Sequence, residues 1–387
     1  MKKCLSVFKC IGISLATIII VLLLTVIVIW WNELSSICSI KKLKAANPGG
    51  EDGAIYSMHI KGNYYFDDFI TNGGVKSDAE LLNFITNHIT RGFVKMAIPE
   101  TSINCSSYTA NTKNGNRIFA RNYDFIKTST CIVFTDSGKN RYATISTVDL
   151  EFLGITNGRE IVTIGDKITC LAVPFCPLDG INEKGLACGI YISYQNVPTN
   201  QNTSKPDITS TTLLRLILDT ASTVDEAIKI AQSYDLHDSA NTPFHYMVAD
   251  RSGKSAILEW TCGTQLTDND GSARTLKITY QSESENNQLI TNFIVQPGYY
   301  DGITDTNMIH GLERYNIMKY ELNVRNGIVS DINDGLSILK RVGQRNIKTD
   351  PRSPWLTLYS IIYDLSDNTV YWVGNEHFEE DPFIYKF

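Results

Sequence analysis

The chain has 387 residues, 43% of them hydrophobic and 20% charged, and a formal net charge of −6. That is enough apolar material for one or two domains with a substantial core, and the charge leaves no basic surface for a phosphate backbone, which excludes a nucleic-acid partner. The nine cysteines form no C-x-x-C pair and are too unevenly spaced for a disulfide scaffold, so each is judged singly. The first feature in chain order is an uncharged run from Ile11 to Trp31 containing IIIVLLLTVIVIWW, long enough as a helix to span about 30 Å of hydrocarbon. Lys2, Lys3 and Lys9 precede it and Trp30-Trp31 closes it. Residues 1–10 therefore read as a cytoplasmic tail and 11–31 as a single-pass anchor in the cell membrane, with the rest extracytoplasmic. Lys41, Lys42 and Lys44 act against that orientation. A cleaved signal peptide is the competing reading, but the apolar run is longer than a signal core and no small-x-small site follows it. Cys4 and Cys10 flank the run and are acylation candidates at most.

Residues 32–53 include SIKKLKAANPGGEDG, whose charge, Pro and Gly predict a linker. Residues 54–104 read as a helical pre-segment, because Ser77-Asp-Ala-Glu80 is a capping box and Leu81, Leu82, Phe84, Ile85, Ile89 and Phe93 follow at helical spacing. From Cys105 onward the pattern changes to short alternating runs: RIFARNYDF, CIVFTD, YATISTVDLEFLGI, EIVTIG, ITCLAVPF and LACGIYISY, all predicted as strands. Helices follow at Thr212–Asp219 and from the box Thr223-Val-Asp-Glu226 to Tyr234. Then come strands at FHYMVADR, SAILEW and QLITNFIV, helices near Leu312–Leu322 and Ile332–Val342, and a closing hairpin LYSIIYDL-SDN-TVYWVG. The order predicts an α+β layered domain, two antiparallel sheets covered by helices, over residues 105–387. It contains no glycine-rich phosphate loop.

Cys131, Cys170, Cys176, Cys188 and Cys262 lie in or beside apolar strand-like runs, where a structural role is the commoner one. Cys105 is followed by Ser106 and Ser107 instead. On residue chemistry alone a buried structural cysteine is still the commoner reading even there. A Cys-His mechanism is the natural rival, but none of the six histidines sits in a protease motif, and His245, in an apolar strand pattern, reads as a satisfied core histidine. No histidine pair has metal-ligand spacing, so neither metal nor cofactor is expected.

In INCSSYTANTKNGNRIFARNYDF, Cys105 is followed by Arg121 16 residues on and by Asp124 19 residues on, with an Asn-Gly turn between two strands. This order and spacing resemble the choloylglycine hydrolase family, which includes bile salt hydrolases and penicillin V acylases and is related to acid ceramidase-like amidases. The resemblance runs from about Asn104 to the end through GINEKGLACGIYISY, PFHYMVADRSGKSAILEW, LITNFIV and GLERYNIMKY. It implies the four-layer αββα sandwich of N-terminal nucleophile hydrolases, with Asn292 in the oxyanion hole, Arg314 as the helix arginine, and Tyr191 where acylases tend to have tyrosine. The front departs from the simple members, which begin almost at the cysteine, and is similar to the acid ceramidase-like relatives, which carry a pre-segment.

The resemblance implies self-cleavage at Asn104-Cys105, after which Cys105 is both nucleophile and, through its α-amine, base. Arg121 would favour the thiolate, Asp124 would hold the amine or the arginine, Asn292 and Tyr191 would donate to the oxyanion, and Arg314 would stiffen the cluster. The expected activity is hydrolysis of a linear, non-peptide C–N amide of a small amphiphilic N-acyl amide through an acyl-thioester. Oligomerisation remains open. A surface-anchored binding or sensory protein that keeps the fold without turnover is the alternative reading.

Overall fold

The computed structural model of the chain describes residues 2–90, 92, 103–282, 285–347 and 354–387. Its centre is two facing sheets. The nine-stranded sheet runs in the order Lys41–Lys44, Ile55–Ile60, Thr130–Thr135, Thr144–Asp149, Asp179–Asn182, Leu186–Ile192, Phe244–Asp250, Ser255–Thr261 and Thr275–Tyr280. The second runs Leu289–Ile290, Asn104–Thr112, Arg117–Phe125, Leu356–Asp364, Thr369–Gly374 and Phe383–Lys386, with Ile328–Val329 parallel to the Asn104–Thr112 strand. Helices Ser210–Thr220 and Val224–Gln232 pack on the first sheet and Leu312–Val324 and Ile332–Arg341 on the second, giving the order helix, sheet, sheet, helix. The central strands are buried along almost their whole length, as strands covered on both faces must be. The hairpin that carries Cys105 closes through Asn114-Gly115, where Gly115 takes φ +87°. Its register sets Asn104 opposite Asp124, Cys105 opposite Tyr123 and Ser107 opposite Arg121.

Several expectations change. The linker expected over 32–53 is structured, with helix Trp31–Cys38 and strand Lys41–Lys44, and within the pre-segment Ile55–Ile60 joins the first sheet parallel to Thr130–Thr135. The pre-segment is therefore a sheet member as well as a helical cap, and the sheets are mixed. EIVTIG and ITCLAVPF are not strands, because Thr163 and Asp166 form a reciprocal capping box that starts helix Ile164–Thr169, followed by the 3-10 segment Cys170–Phe175. In QLITNFIV only Leu289–Ile290 pairs. The helix capped by Ser77 spans Asp78–Phe84 and continues as a π-turn at Ile85–Ile89, and its expected last residue, Phe93, lies outside the described residues.

At the front, helix Lys2–Ile29 gives way at Trp30 to helix Trp31–Cys38. Among the described residues no single helix is long and apolar enough to cross a membrane, but Ile13–Ile29 and Trp31–Cys38, bent by 73°, are so together by length and composition. The uninterrupted span expected over 11–31 is not found as one helix; the break falls at Trp30.

Candidate active site

Side chains alternate along a strand, so Cys105, Ser107, Arg121 and Tyr123 face the nine-stranded sheet while Asp124 faces the helices. Cys105 is fully buried, and Arg121, also fully buried, places Nη2 3.2 Å from its Sγ. The rest of the guanidinium is held by the opposite sheet. Nη2 donates to the Ile190 carbonyl at 2.7 Å, Nη1 donates to the Leu178 carbonyl, and Nε lies 3.3 Å from Asp179 Oδ2. Asp179 also accepts the Tyr359 and Tyr363 hydroxyls, each at 2.5 Å. The Tyr191 ring lies 4.6 Å from the guanidinium carbon, a cation–π contact. Gly189 permits this approach, since a Cβ there would meet Arg121 Nη1 at 2.6 Å and the Tyr191 hydroxyl at 2.7 Å.

On the helix side, Arg314 ties three groups together. Its Nη1 donates to the Cys105 carbonyl at 2.5 Å and to Asp124 Oδ2 at 3.3 Å, and its Nη2 donates to Asn292 Oδ1 at 2.7 Å. Asn292 Oδ1 also accepts the Cys105 N–H at 2.8 Å, while its Nδ2 donates to the Ile192 carbonyl at 2.9 Å and reaches the Ile103 carbonyl at 3.5 Å. Asp124 accepts from Thr357 Oγ1 at 2.7 Å and Gln344 Nε2 at 3.1 Å. A register shift between Thr357 and Tyr359 makes this possible: the extra residue lets Thr357 face Asp124 on the helix side while Tyr359 faces Asp179 between the sheets.

Burial dominates the electrostatics. It pushes the Cys105 thiol up to about 11, against the pull of Arg121. Burial likewise raises the Asp124 carboxyl above its ordinary range, against Arg314, Thr357 and Gln344. Burial also works against the Arg121 cation, but Cys105, Tyr359 and Asp179 outweigh it and hold the guanidinium charged.

The structure thus brings Cys105, Arg121, Asp124, Asn292 and Arg314 into one buried cluster, with two changes of partner. Asp124 binds Arg314, neither Arg121 nor the Cys105 nitrogen, because Arg121 and Asp124 project from opposite faces of one strand. Tyr191 packs on Arg121 and its hydroxyl donates to Ser107 Oγ at 2.6 Å, so that hydroxyl is not offered to an oxyanion. Sequence reasoning missed Tyr194, whose hydroxyl donates to the Ile103 carbonyl at 3.2 Å and whose ring stacks on His310 at 4.5 Å. It also missed Asp179, for which an acid directly before the Gly180-Ile-Asn turn strand was the available signal. Beside the cluster, Ile103, Phe152, Cys176, Leu178, Ile190, Thr211, Ser239, Ala240 and Phe244 line an apolar cavity of about 40 Å³. Among the described residues, His377, Glu379 and Glu380 are the acidic or ligating group whose atoms converge, but His377 is already engaged by Asp52 and Glu379.

Residues 105–267 match the family described as linear amide C–N hydrolases, choloylglycine hydrolase family. The chain is 28% identical over 146 residues to penicillin V acylase of Pectobacterium atrosepticum, covering 35% of this chain and 37% of that protein. It is 29% identical over 174 residues to a bile salt hydrolase/transferase of Clostridium perfringens, covering 41% and 48%. The chain therefore aligns with under half the length of these curated relatives. A solved penicillin V acylase from Agrobacterium tumefaciens is similar with a TM-score of 0.47 and 18% identity over 72% of this chain and 84% of that one.

Proposed function

We propose that the chain, whose residues 105–267 match the choloylglycine hydrolase family, hydrolyses a linear, non-peptide C–N amide bond with Cys105 as nucleophile. The observation that carries this is the buried Cys105 Sγ at 3.2 Å from a fully buried guanidinium, with the N–H of the same residue held by Asn292 at 2.8 Å.

In the intact chain, Cys105 Sγ attacks the Asn104 carbonyl carbon, the C–N bond breaks, and the acyl group passes to sulfur while the nitrogen becomes a free amine. Water then hydrolyses this thioester and leaves a carboxylate at Asn104. The new amine takes the thiol proton, so one residue supplies nucleophile and base. Thiolate attack on a substrate amide gives a tetrahedral oxyanion, the leaving amine departs with a proton, and water hydrolyses the resulting acyl-thioester to the carboxylic acid. Asn292 Nδ2 and the Tyr194 hydroxyl both approach the Ile103 carbonyl now, at 3.5 Å and 3.2 Å. They are the donors suited to a substrate oxyanion once that carbonyl has gone, each worth about 3 kcal/mol.

The apolar cavity lined by Ile103, Leu178 and Ile190, whose last two carbonyls hold Arg121, suits an apolar acyl group, and Ile103 lies just before the bond that cleavage breaks. The substrate in this reading is a small amphiphilic N-acyl amide. The bent helix pair at the front tethers the chain to the cell membrane, with the catalytic part outside, where amphiphilic substrates partition.

The test expresses the full chain and its Cys105→Ala variant in detergent and sequences the N-termini of all fragments. A new N-terminus at Cys105, absent from the variant, is expected, followed by amine release from penicillin V or a conjugated bile salt. If both chains stay whole, the α-amine base is lost to the mechanism and the binding-protein reading replaces this one.

A further inference from the structure

Asn292 sits on a segment that has just left the sheet, yet its amide must stay fixed to within tenths of an ångström. Pairing ends at Ile290, and Thr291 to Gln296 run on as irregular backbone with Thr291 and Asn292 fully buried. Among the described residues no strand pairs with this stretch. Its polar backbone groups are met instead from the neighbouring sheet. His245 Nε2 donates to the Thr291 carbonyl at 3.0 Å, and Glu259 accepts the Val295 N–H on Oε1 at 2.8 Å and the Gln296 N–H on Oε2 at 3.1 Å. The Tyr300 hydroxyl accepts the Ile294 N–H at 3.2 Å.

His245 and Glu259 are fully buried on adjacent strands and face each other, with Nδ1 3.2 Å from Oε1. Both ring nitrogens of His245 therefore face acceptors, the Thr291 carbonyl and the Glu259 carboxylate. Glu259 in turn has backbone N–H groups aimed at both oxygens. An imidazolium beside a carboxylate satisfies all of these contacts at once. The Tyr191 ring meets the imidazole edge-on at 5.9 Å and lies 4.6 Å from the guanidinium carbon of Arg121.

A buried ion pair is a poor way to gain stability, since desolvation offsets the attraction, and its best-attested use is to fix one arrangement among several. We propose that the His245–Glu259 ion pair is the clamp that positions Asn292, gripping the carbonyl before it and two N–H groups after it, and so sets the rate of chemistry at Cys105 without touching the reacting atoms. The two residues are positioning residues. The proposal rests on the reading of Cys105 as nucleophile.

The experiment follows self-cleavage of the full chain, made by cell-free synthesis into detergent, for the wild type and for Glu259→Gln, His245→Ala and His245→Gln. Where wild type turns over penicillin V or a conjugated bile salt, kcat and KM are measured as well. Glu259→Gln keeps the shape but removes the charge, and His245→Gln keeps a donor for the Thr291 carbonyl. Glu259→Gln and His245→Ala are expected to slow self-cleavage and kcat at least tenfold, within the roughly hundredfold that a 1 Å misplacement of a catalytic group costs, with KM within about twofold. His245→Gln should recover part of the loss. In histidine-¹⁵N-labelled Cys105→Ala chain, the ring signal that His245→Gln removes should show protons on both nitrogens near neutral pH and lose that signature in Glu259→Gln. Wild-type rates in a folded Glu259→Gln, a loss that only matches the unfolded fraction, kcat and KM moving together, or a neutral ring would each overturn the clamp. Failure of the wild type to cleave sinks the nucleophile reading instead, and the nitrogen spectrum then still decides the ion pair.

Discussion

Arg314→Met isolates what the helix arginine contributes, because methionine keeps much of the length and none of the charge. Arg314 is the cation that pairs with the fully buried Asp124, at 3.3 Å, and it also holds the Cys105 carbonyl and Asn292. Without it, Asp124 keeps Thr357 and Gln344 as neutral donors, and its carboxyl is already raised by burial. Stranding one partner of a buried pair costs about 3–5 kcal/mol, chiefly the penalty on the charge left behind. At about 2 °C per kcal/mol for a domain of this size, the unfolding midpoint should fall by roughly 6–10 °C. Adding Asp124→Asn removes the stranded charge and should return most of that loss, while self-cleavage stays defective because the Cys105 carbonyl and Asn292 remain unheld. Thermal unfolding is read in the Cys105→Ala background, where processing cannot alter the molecule. A single variant within about 1 kcal/mol of its parent, or a double variant less stable than the single one, would refute the assignment of Arg314 as the charge partner.

Two other outcomes are expected. Self-cleavage starts from a thiol that burial has pushed up to about 11, so its reactive thiolate fraction, and with it the rate, should rise about tenfold per pH unit below that value; a plateau near pH 8 in a pulse-chase series would show the thiol ionising as an exposed one does. After cleavage the pre-segment should stay bound, because Ile55–Ile60 pairs along its whole length with Thr130–Thr135 and Phe66, Phe69 and Phe84 pack around Phe175. The two fragments should co-elute in size exclusion without denaturant and separate in it, and separation under native conditions would contradict the sheet pairing.

What was legible in the sequence follows from the range of the interactions involved. The Cys105 hairpin, the helix capped by Thr223 and the closing hairpin are specified within a dozen residues, by alternation, an Asn-Gly turn and a Thr-x-x-Glu box, and they form where expected. The strand Ile55–Ile60 is a short apolar run whose partner lies some 75 residues on, and nothing local distinguishes it from a buried helix turn. EIVTIG and ITCLAVPF misled because apolar content was weighed above the Thr163 and Asp166 cap. At the site, the parity of a strand already says that Arg121 and Asp124 cannot share a face, so their separation was readable. The bulge that turns Thr357 toward Asp124, and the Asp179 that grips Arg121 from the other sheet, depend on tertiary pairing and were not.

On the proposed mechanism, the intact chain also bears on what cleavage would have to accomplish. Cys105 N already donates to Asn292 Oδ1, its carbonyl is already held by Arg314, and its thiol already meets Arg121, so the positions a processed nucleophile needs are set beforehand. On the proposed mechanism, breaking the bond would change an amide N–H, which cannot take a proton, into an amine that can, and would free the Ile103 carbonyl from Asn292 and Tyr194. The first attack has no amine to help it and a thiol held largely protonated, yet it need happen only once per molecule. A slow single event is compatible with fast later turnover because the event itself creates the base that turnover uses. The rigidity demanded of Asn292 is then the same before and after cleavage, which is why its clamp lies on strands that cleavage leaves untouched.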